Sequence, residues 1–367
     1  MAAESSARFS LREMLDHDQF HLSEYCRDYR PNPYGAEMYK AVEKFGRHYG
    51  IWLDDAKHYI SCTDYLYPSA SLEKLVPIGK NLAIDFYLND TIGREKAGHL
   101  TPEQQQAARR IRRPFVATED DFPICPGAHP VELANAEMLA DIRTEAPTDW
   151  FTEFLRLWKY QIDIAHIDRN ASALGYIPGI EEYIDSRCHV SGMHHTIQLM
   201  EFADDHFLDW PRLTTVGIAH PLRQIRNLVA RIGCLMNDLF SFEKEFIDNG
   251  SDSNLVTVIV LNEPSLALSE AIVRAAAIVR GFIAGFLTLI GEVRNQGHGL
   301  LTTDRGLANM LETHLRSLEQ CVQAGWVWQV YTMRYKRAAS IWREARLAHA
   351  PAKNTAPSPH DQRVIAQ

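Results

Sequence analysis

The chain has 367 residues, 46% of them hydrophobic, which is enough for one large core or two modest ones. A net charge of −9 argues against nucleic acid as the main partner, because phosphate backbones select basic surfaces; a small phosphorylated ligand remains compatible, since bound metal ions invert a local field. The six cysteines (Cys26, Cys62, Cys125, Cys188, Cys234, Cys321) show no C-x-x-C spacing and read as isolated thiols of a reducing compartment.

Residues 1–20 carry Glu4, Arg8, Arg12, Glu13 and Asp16, so no apolar signal core opens the chain. This stretch is expected to be a flexible lead and the protein to be cytoplasmic. Arg30-Pro31-Asn32-Pro33 is an extended approach to a helix in which Tyr39, Val42, Phe45, Tyr49 and Trp52 recur at the helical period. Residues 82–95 read as an apolar, aromatic helix that becomes polar at its end, with Asp85, Asn89, Asp90 and Glu95. Phe151, Phe154, Leu155, Trp158 and Ile162 mark another helix, and Tyr176-Ile177-Pro178-Gly179 opens one with proline in its first turn. Val273, Ala276, Ile278, Phe282 and Phe286 belong to a helix apolar almost all round, which is expected at the centre of a bundle. Its uncharged run, residues 281–291, is too short to span a bilayer. Residues 307–321 and 326–347 read as two last long helices. No run alternates like a strand, no linker divides the chain, and no repeat is visible. The expectation is an all-α, single-domain bundle of about ten or more helices over residues 21–348. The Pro-rich, polar stretch 349–367 is predicted to be a disordered tail.

One segment is richer in chemistry than the rest. Asn237, Ser241 and Glu245 stand at i, i+4 and i+8. On an α-helix each such step turns about 400° and climbs roughly 6 Å, so the three side chains form one nearly straight row. They offer an amide oxygen, a hydroxyl and a carboxylate, hard ligands that suit Mg²⁺. Leu235, Met236, Leu239, Phe240 and Phe242 surround the row, so it points into an apolar interior. His189, His194 and His195 lie together without the i, i+4 spacing of a helical zinc pair, and read as core or pocket-wall histidines.

Asn237-Asp238-Leu239-Phe240-Ser241-Phe242-Glu243-Lys244-Glu245 resembles the second metal motif, N-D-x-x-S-x-x-x-E, of class I terpene synthases of the single-domain bacterial and fungal type. That resemblance implies Asn237, Ser241 and Glu245 as metal ligands and Lys244 as a donor to the substrate's diphosphate. The family's aspartate-rich first motif is matched only in part. Asp90 fits both of its possible registers and is the best ligand there, with Asp85, Asn89 and Glu95 as helpers, while Phe86 and Gly93 stand where acids are usual. Arg187 is similar to the family's diphosphate-sensing arginine, with Ser191 and Gly192 as the helix break that follows it; Cys188 fills a slot where many members have a second arginine. Arg334 and Tyr335 resemble the terminal R-Y pair that grips diphosphate oxygens. Phe86, Tyr87, Trp326 and Trp328 are the candidate aromatic lining of an apolar cavity.

The resemblance implies a carbon–oxygen lyase that uses three Mg²⁺ ions, with Mn²⁺ as a substitute. It would ionise a linear prenyl diphosphate, farnesyl diphosphate first and geranylgeranyl diphosphate next, and cyclise the cation to a sesquiterpene or diterpene. Neither nucleic acid nor a membrane span is expected, and the chain would be a monomer or homodimer. The alternatives are a chain-elongating prenyl transferase, which usually has a second D-D-x-x-D motif where this chain has Asn237, Ser241 and Glu245, and a non-catalytic isoprenoid-binding helical protein.

Overall fold

The computed structural model describes residues 9–17, 20–117 and 127–347. Its longer helices are α1 (Gly35–His48), α2 (Leu72–Ile92), α3 (Pro102–Ala117), α4 (Pro130–Glu145), α5 (Thr148–Ile164), α6 (Ile180–Val190), α7 (Met193–Ala203), α8 (Ala219–Phe242), α9 (Leu255–Asn262), α10 (Leu268–Gly299) and α11 (Arg305–Tyr331). Among the described residues there is no strand, only three isolated backbone bridges.

Local chemistry sets the boundaries. The Ser71 hydroxyl caps α2 by accepting from the Lys74 amide at 3.4 Å, and the Asp304 carboxylate caps α11 by accepting from the Leu307 amide at 3.1 Å. Between α6 and α7 the chain breaks at Gly192, whose φ of 80° is left-handed and costs glycine little. Helix α8 is the axis of the bundle: it packs on α6, α7, α10 and α11, burying Leu222, Ile225, Val229, Ile232, Leu235, Leu239 and Phe240. Each such side chain contributes roughly 1.5–3 kcal/mol by leaving water. Helices α2, α5, α6, α8 and α11 surround a cavity on one side of this axis.

Several expectations need correcting. Helix α10 is not central. It lays Ala271, Ile272, Ala275, Ala276, Val279, Ile283 and Phe286 on the bundle, while Val273 is 54% exposed. Its helical run continues through Arg280 and Glu292, so the stretch Leu268–Thr302 is long and apolar enough to cross a membrane by length and composition alone; 33% of its most apolar window is buried. Apolar content all round a helix therefore did not report its position here. The expected pair of final helices is one helix, α11, ending at Tyr331. There Thr332 turns to an extended ψ of 141°, its hydroxyl accepts from the Arg334 amide, and a short 3₁₀ turn, Met333–Tyr335, follows. Residues 336–347 are bridges and turns that bury Trp342. Within the lead read as flexible, Leu11–Leu15 is a short helix packed on α10 with both leucines buried. Ser10 and the Leu11 amide hydrogen-bond Glu344, so the lead braces the C-terminal segment. Residues 1–8, 18–19 and 348–367, including the tail expected to be disordered, lie outside the described residues.

Candidate active site

The cavity measures about 1140 Å³ with its open mouth included. Asn237, Ser241 and Glu245 all line it. The row is not straight. Asn237 and Ser241 are one α-turn apart on α8, but Glu245 lies in a π-helical turn, Glu243–Asp248, that continues the helix. A π turn is wider and holds an extra residue, so Glu245 turns less far round the axis than an α step would carry it. Asn254 then fixes it: its amide donates to the Glu245 carboxylate at 2.8 Å and to the Asp238 carbonyl at 2.8 Å. Asn237 is held on both ends. Its Oδ1 accepts from Arg187 Nη2 at 3.1 Å, and its Nδ2 donates to Gln329 Oε1 at 3.2 Å and to the Tyr335 hydroxyl oxygen at 2.8 Å.

Facing this row, α2 turns Leu82, Asp85, Phe86 and Asn89 into the cavity. Asp90 is one residue further round the helix and is not in the lining. Its carboxylate receives a two-pronged grip from Arg334, at 3.0 and 2.8 Å. Burial works against the Asp90 charge, but Arg334 and the nearby Lys244 hold its carboxyl below the usual carboxylate range. The Arg334 guanidinium also rests on the Tyr59 and Phe86 rings, 5.3 and 5.2 Å from their centroids. Asp85 differs: burial pushes its carboxyl up to about 7, against a hydrogen bond from Gln161. The Glu95 side chain lies outside the described ones.

On the third wall, Arg187 is buried against Asp238, its Nε donating to Oδ1 at 2.7 Å. Burial opposes the guanidinium charge, yet the Asp238 carboxylate keeps its pKa raised. Asp238 is itself fully buried and also accepts from the Tyr183 hydroxyl and the Leu255 amide. The helix break beyond Arg187 is clamped by Gln161 of α5. Gln161 Oε1 accepts from the Gly192 amide at 3.1 Å, and its Nε2 donates toward the Val190 carbonyl at 3.4 Å. Ser191 closes the end of α6, donating to the Cys188 carbonyl at 2.8 Å.

Of the four aromatics expected in the lining, Phe86 and Trp328 are there. Tyr87 and Trp326 are not, because neighbours one or two residues away on a helix point about 100° or 200° apart. Trp326 packs edge-on against Phe240 in the core instead.

Residues 80–283 match a family model described as terpene synthase family 2, C-terminal metal binding. The chain belongs to this terpene synthase family. It is 25% identical over 215 residues to (2Z,6E)-hedycaryol synthase of Kitasatospora setae, covering 59% of this chain and 60% of that protein. It is 27% identical over 217 residues to a sesquiterpene synthase of Metarhizium guizhouense, covering 57% of each. The chain thus spans less than two thirds of both relatives. A cucumene synthase variant shares its fold at a TM-score of 0.68 and 18% identity, over 84% of this chain and 98% of that one.

For this terpene synthase, the donor set can be tested against a hard divalent metal. Among the described residues no group of three or more His, Cys, Asp or Glu side chains could hold one. The row instead offers one carboxylate with an amide and a hydroxyl oxygen. Ser241 Oγ is buried without a hydrogen-bond partner in the protein, an expensive arrangement unless something else uses its lone pairs. The residues therefore fit the metal that the family description names. Three residues that position the site escaped sequence reasoning: Asp238 under Arg187, Asn254 behind Glu245, and Gln161 at the helix break. Asp238 stood inside the motif, and a fully buried acid there signals a structural partner; Asn254 and Gln161 left no mark of this role.

Proposed function

We propose that this terpene synthase ionises a linear prenyl diphosphate with Mg²⁺ and cyclises the resulting allylic cation, with release of diphosphate. The observation that carries this reading is the shared cavity: Asn237, Ser241, Glu245, Lys244, Arg187, Arg334 and Tyr335 line its mouth and wall, and Leu66, Leu82, Phe86, Met193 and Trp328 its apolar part. When bound, the metal ions would neutralise the departing diphosphate. Asn237, Ser241 and Glu245 would hold one on α8; Asp90, with Asp85 and Asn89, would supply oxygens from α2. Lys244, Arg334 and Tyr335 would bind diphosphate oxygens, stabilising the negative charge that develops at the leaving group. To do so Arg334 must exchange Asp90 for phosphate, and Arg187, spent on Asp238 and Asn237, acts by orienting Asn237. Trp328 and Phe86 would face the cation and exclude water.

Farnesyl diphosphate is the favoured substrate, supported by the sesquiterpene synthase among the relatives, with geranylgeranyl diphosphate next. Purified protein incubated with geranyl, farnesyl, geranylgeranyl and geranylfarnesyl diphosphates and Mg²⁺, followed by gas chromatography, is expected to give a cyclic hydrocarbon or alcohol from farnesyl diphosphate. A longer linear diphosphate as the main product would instead establish a chain-elongating transferase. No turnover of any of them would leave isoprenoid binding alone.

A further inference from the structure

Helices α2, α8 and α11 first reach the cavity at Leu82, Gly233 and Cys321, and run from there to Asn89, Ser241 and Gln329 at its polar end. Those first residues mark the floor. Gly233 stands four residues, about 6 Å along the axis, below Asn237. Glycine suits a helix interior worse than any residue but proline, and Gly233 is not one of the glycines with positive φ, so its backbone does not demand one. Its neighbour supplies the reason. A Cβ at Gly233 would lie 2.7 Å from Met193 Cε, 2.9 Å from its Sδ and 3.4 Å from its Cγ. Met193 opens α7 directly after the Gly192 break, its amide donates to Ser191 Oγ at 3.2 Å, and it too lines the cavity. The break therefore lays the methionine side chain across the floor, against the bare backbone of α8.

We propose that Met193, seated on Gly233, sets the length of prenyl chain that this site accepts. The proposal rests on the prenyl diphosphate reading and names, within it, the group that stops the far end of the chain. With the diphosphate held at the metal row, the hydrocarbon runs down the cavity toward Met193. The thioether is unbranched and flexible, so it takes the shape its support allows. Over Gly233 it lies flat on α8 and leaves the cavity its full depth. A methyl group at 233 would meet the mobile tip of that side chain, not backbone, and would drive Cε and Sδ into the cavity. A chain longer by one isoprene unit would lose its place first. Deleting Cγ, Sδ and Cε of Met193 would do the opposite and open room for part of that unit. One methylene in a hydrophobic pocket changes discrimination by about 10–200-fold, so changes of this size are measurable.

The test measures, by calorimetry on the full chain with Mg²⁺, the Kd of the non-ionisable thiolodiphosphate analogues of farnesyl and geranylgeranyl diphosphate, with Tm alongside. Gly233→Ala is expected to weaken the geranylgeranyl analogue at least tenfold relative to the farnesyl one, with Tm retained. Met193→Ala should shift the preference at least tenfold the other way. With Met193→Ala already in place, Gly233→Ala should change the ratio less than twofold, because the group it displaces is gone. Additive shifts in the double variant would overturn the proposal. So would an unchanged ratio in both single variants, or equal weakening of the two analogues with a fall in Tm, which would make the contact one of packing only. Binding is read without turnover. A chain that discriminates in this way but releases no diphosphate from farnesyl diphosphate would fail the catalytic reading alone; one that turns it over with the ratios unmoved would fail this proposal alone.

Discussion

Ser241 is a small side chain with a large constraint. Its hydroxyl is buried with no partner in the protein, while Asn237 and Glu245, before and after it on the row, are already held by hydrogen bonds. Replacing Glu245 with Gln keeps the shape and the Asn254 contact but removes the charge that offsets a divalent cation. Turnover is predicted to fall at least tenfold, about 1.4 kcal/mol in the barrier, and chelation with EDTA should abolish product; steady-state kinetics with metal titration checks both. Asp90 and Asp85 separate at the same scale. Asp90→Asn weakens the Arg334 grip and removes one of the oxygens proposed to hold a metal, so it should cost more turnover than Asp85→Asn; the reverse order would favour Asp85 as the leading ligand of α2. Asp85 also predicts a pH effect in the metal-free protein. Its folded pKa, about 7, is raised above the ordinary 3.8, so the folded state binds more protons between those values. Stability from this group is therefore present at low pH and lost as pH rises through that window. Asp85→Asn should flatten the profile and raise Tm at alkaline pH, measured by calorimetry without metal.

Among the elements, the helix break is the most constrained. A Cβ on Gly192 would lie 3.1 Å from His195 Cε1, 3.3 Å from Asp85 Oδ2 and 3.4 Å from Gln161 Nε2, on a backbone already left-handed. Gly192→Ala is predicted to destabilise by about 1–2 kcal/mol in a denaturant titration and to lower turnover further, because the same atoms hold the cavity wall. Gln161→Leu should leave α5 intact but release the Gly192 amide, changing the product distribution more than Tm. How far the sequence announced these elements differs case by case. The Asn237 and Ser241 spacing revealed α8 and its inward face, because that step of four matches the α-helical period, whereas Glu245 lies beyond it in the π turn. The glycine after Arg187 revealed the break. The π turn was invisible, since it depends on Glu243 anchoring the Ser340 hydroxyl and Ile341 amide about a hundred residues away. The end of α11 was missed for a similar reason: Thr332 and its neighbours are acceptable in a helix, and only docking of Thr332 on the His58 carbonyl decides otherwise.

At the scale of the whole molecule, the cavity joins polar and apolar side chains carried on the same helices, and their variants should fail differently because their chemistry differs. Arg334→Lys keeps a charge but loses the fork that grips either Asp90 or a phosphate. It should slow ionisation with little change in Tm, and raise the share of early-quenched linear products seen by gas chromatography. Trp328→Ala removes an aromatic wall and its hydrogen bond to Ser61, so it should shift the product mixture more than metal dependence. The overall class was legible in advance because helical period persists through most of the chain, whereas the layering was not. Period shows which side of a helix is apolar, and only the assembled bundle shows which of two apolar helices, α8 or α10, is enclosed.

The π turn at Glu243–Asp248 means that this stretch holds one residue more than a regular helix needs. Deleting exposed Ile247 would let the turn relax to ordinary pitch at little cost in Tm. It would also swing Lys244 and Glu245 relative to Ser241. Chain length at this one turn therefore acts as a vernier on ligand spacing, in which an insertion or deletion, rather than a substitution, sets how well the site closes round an ion.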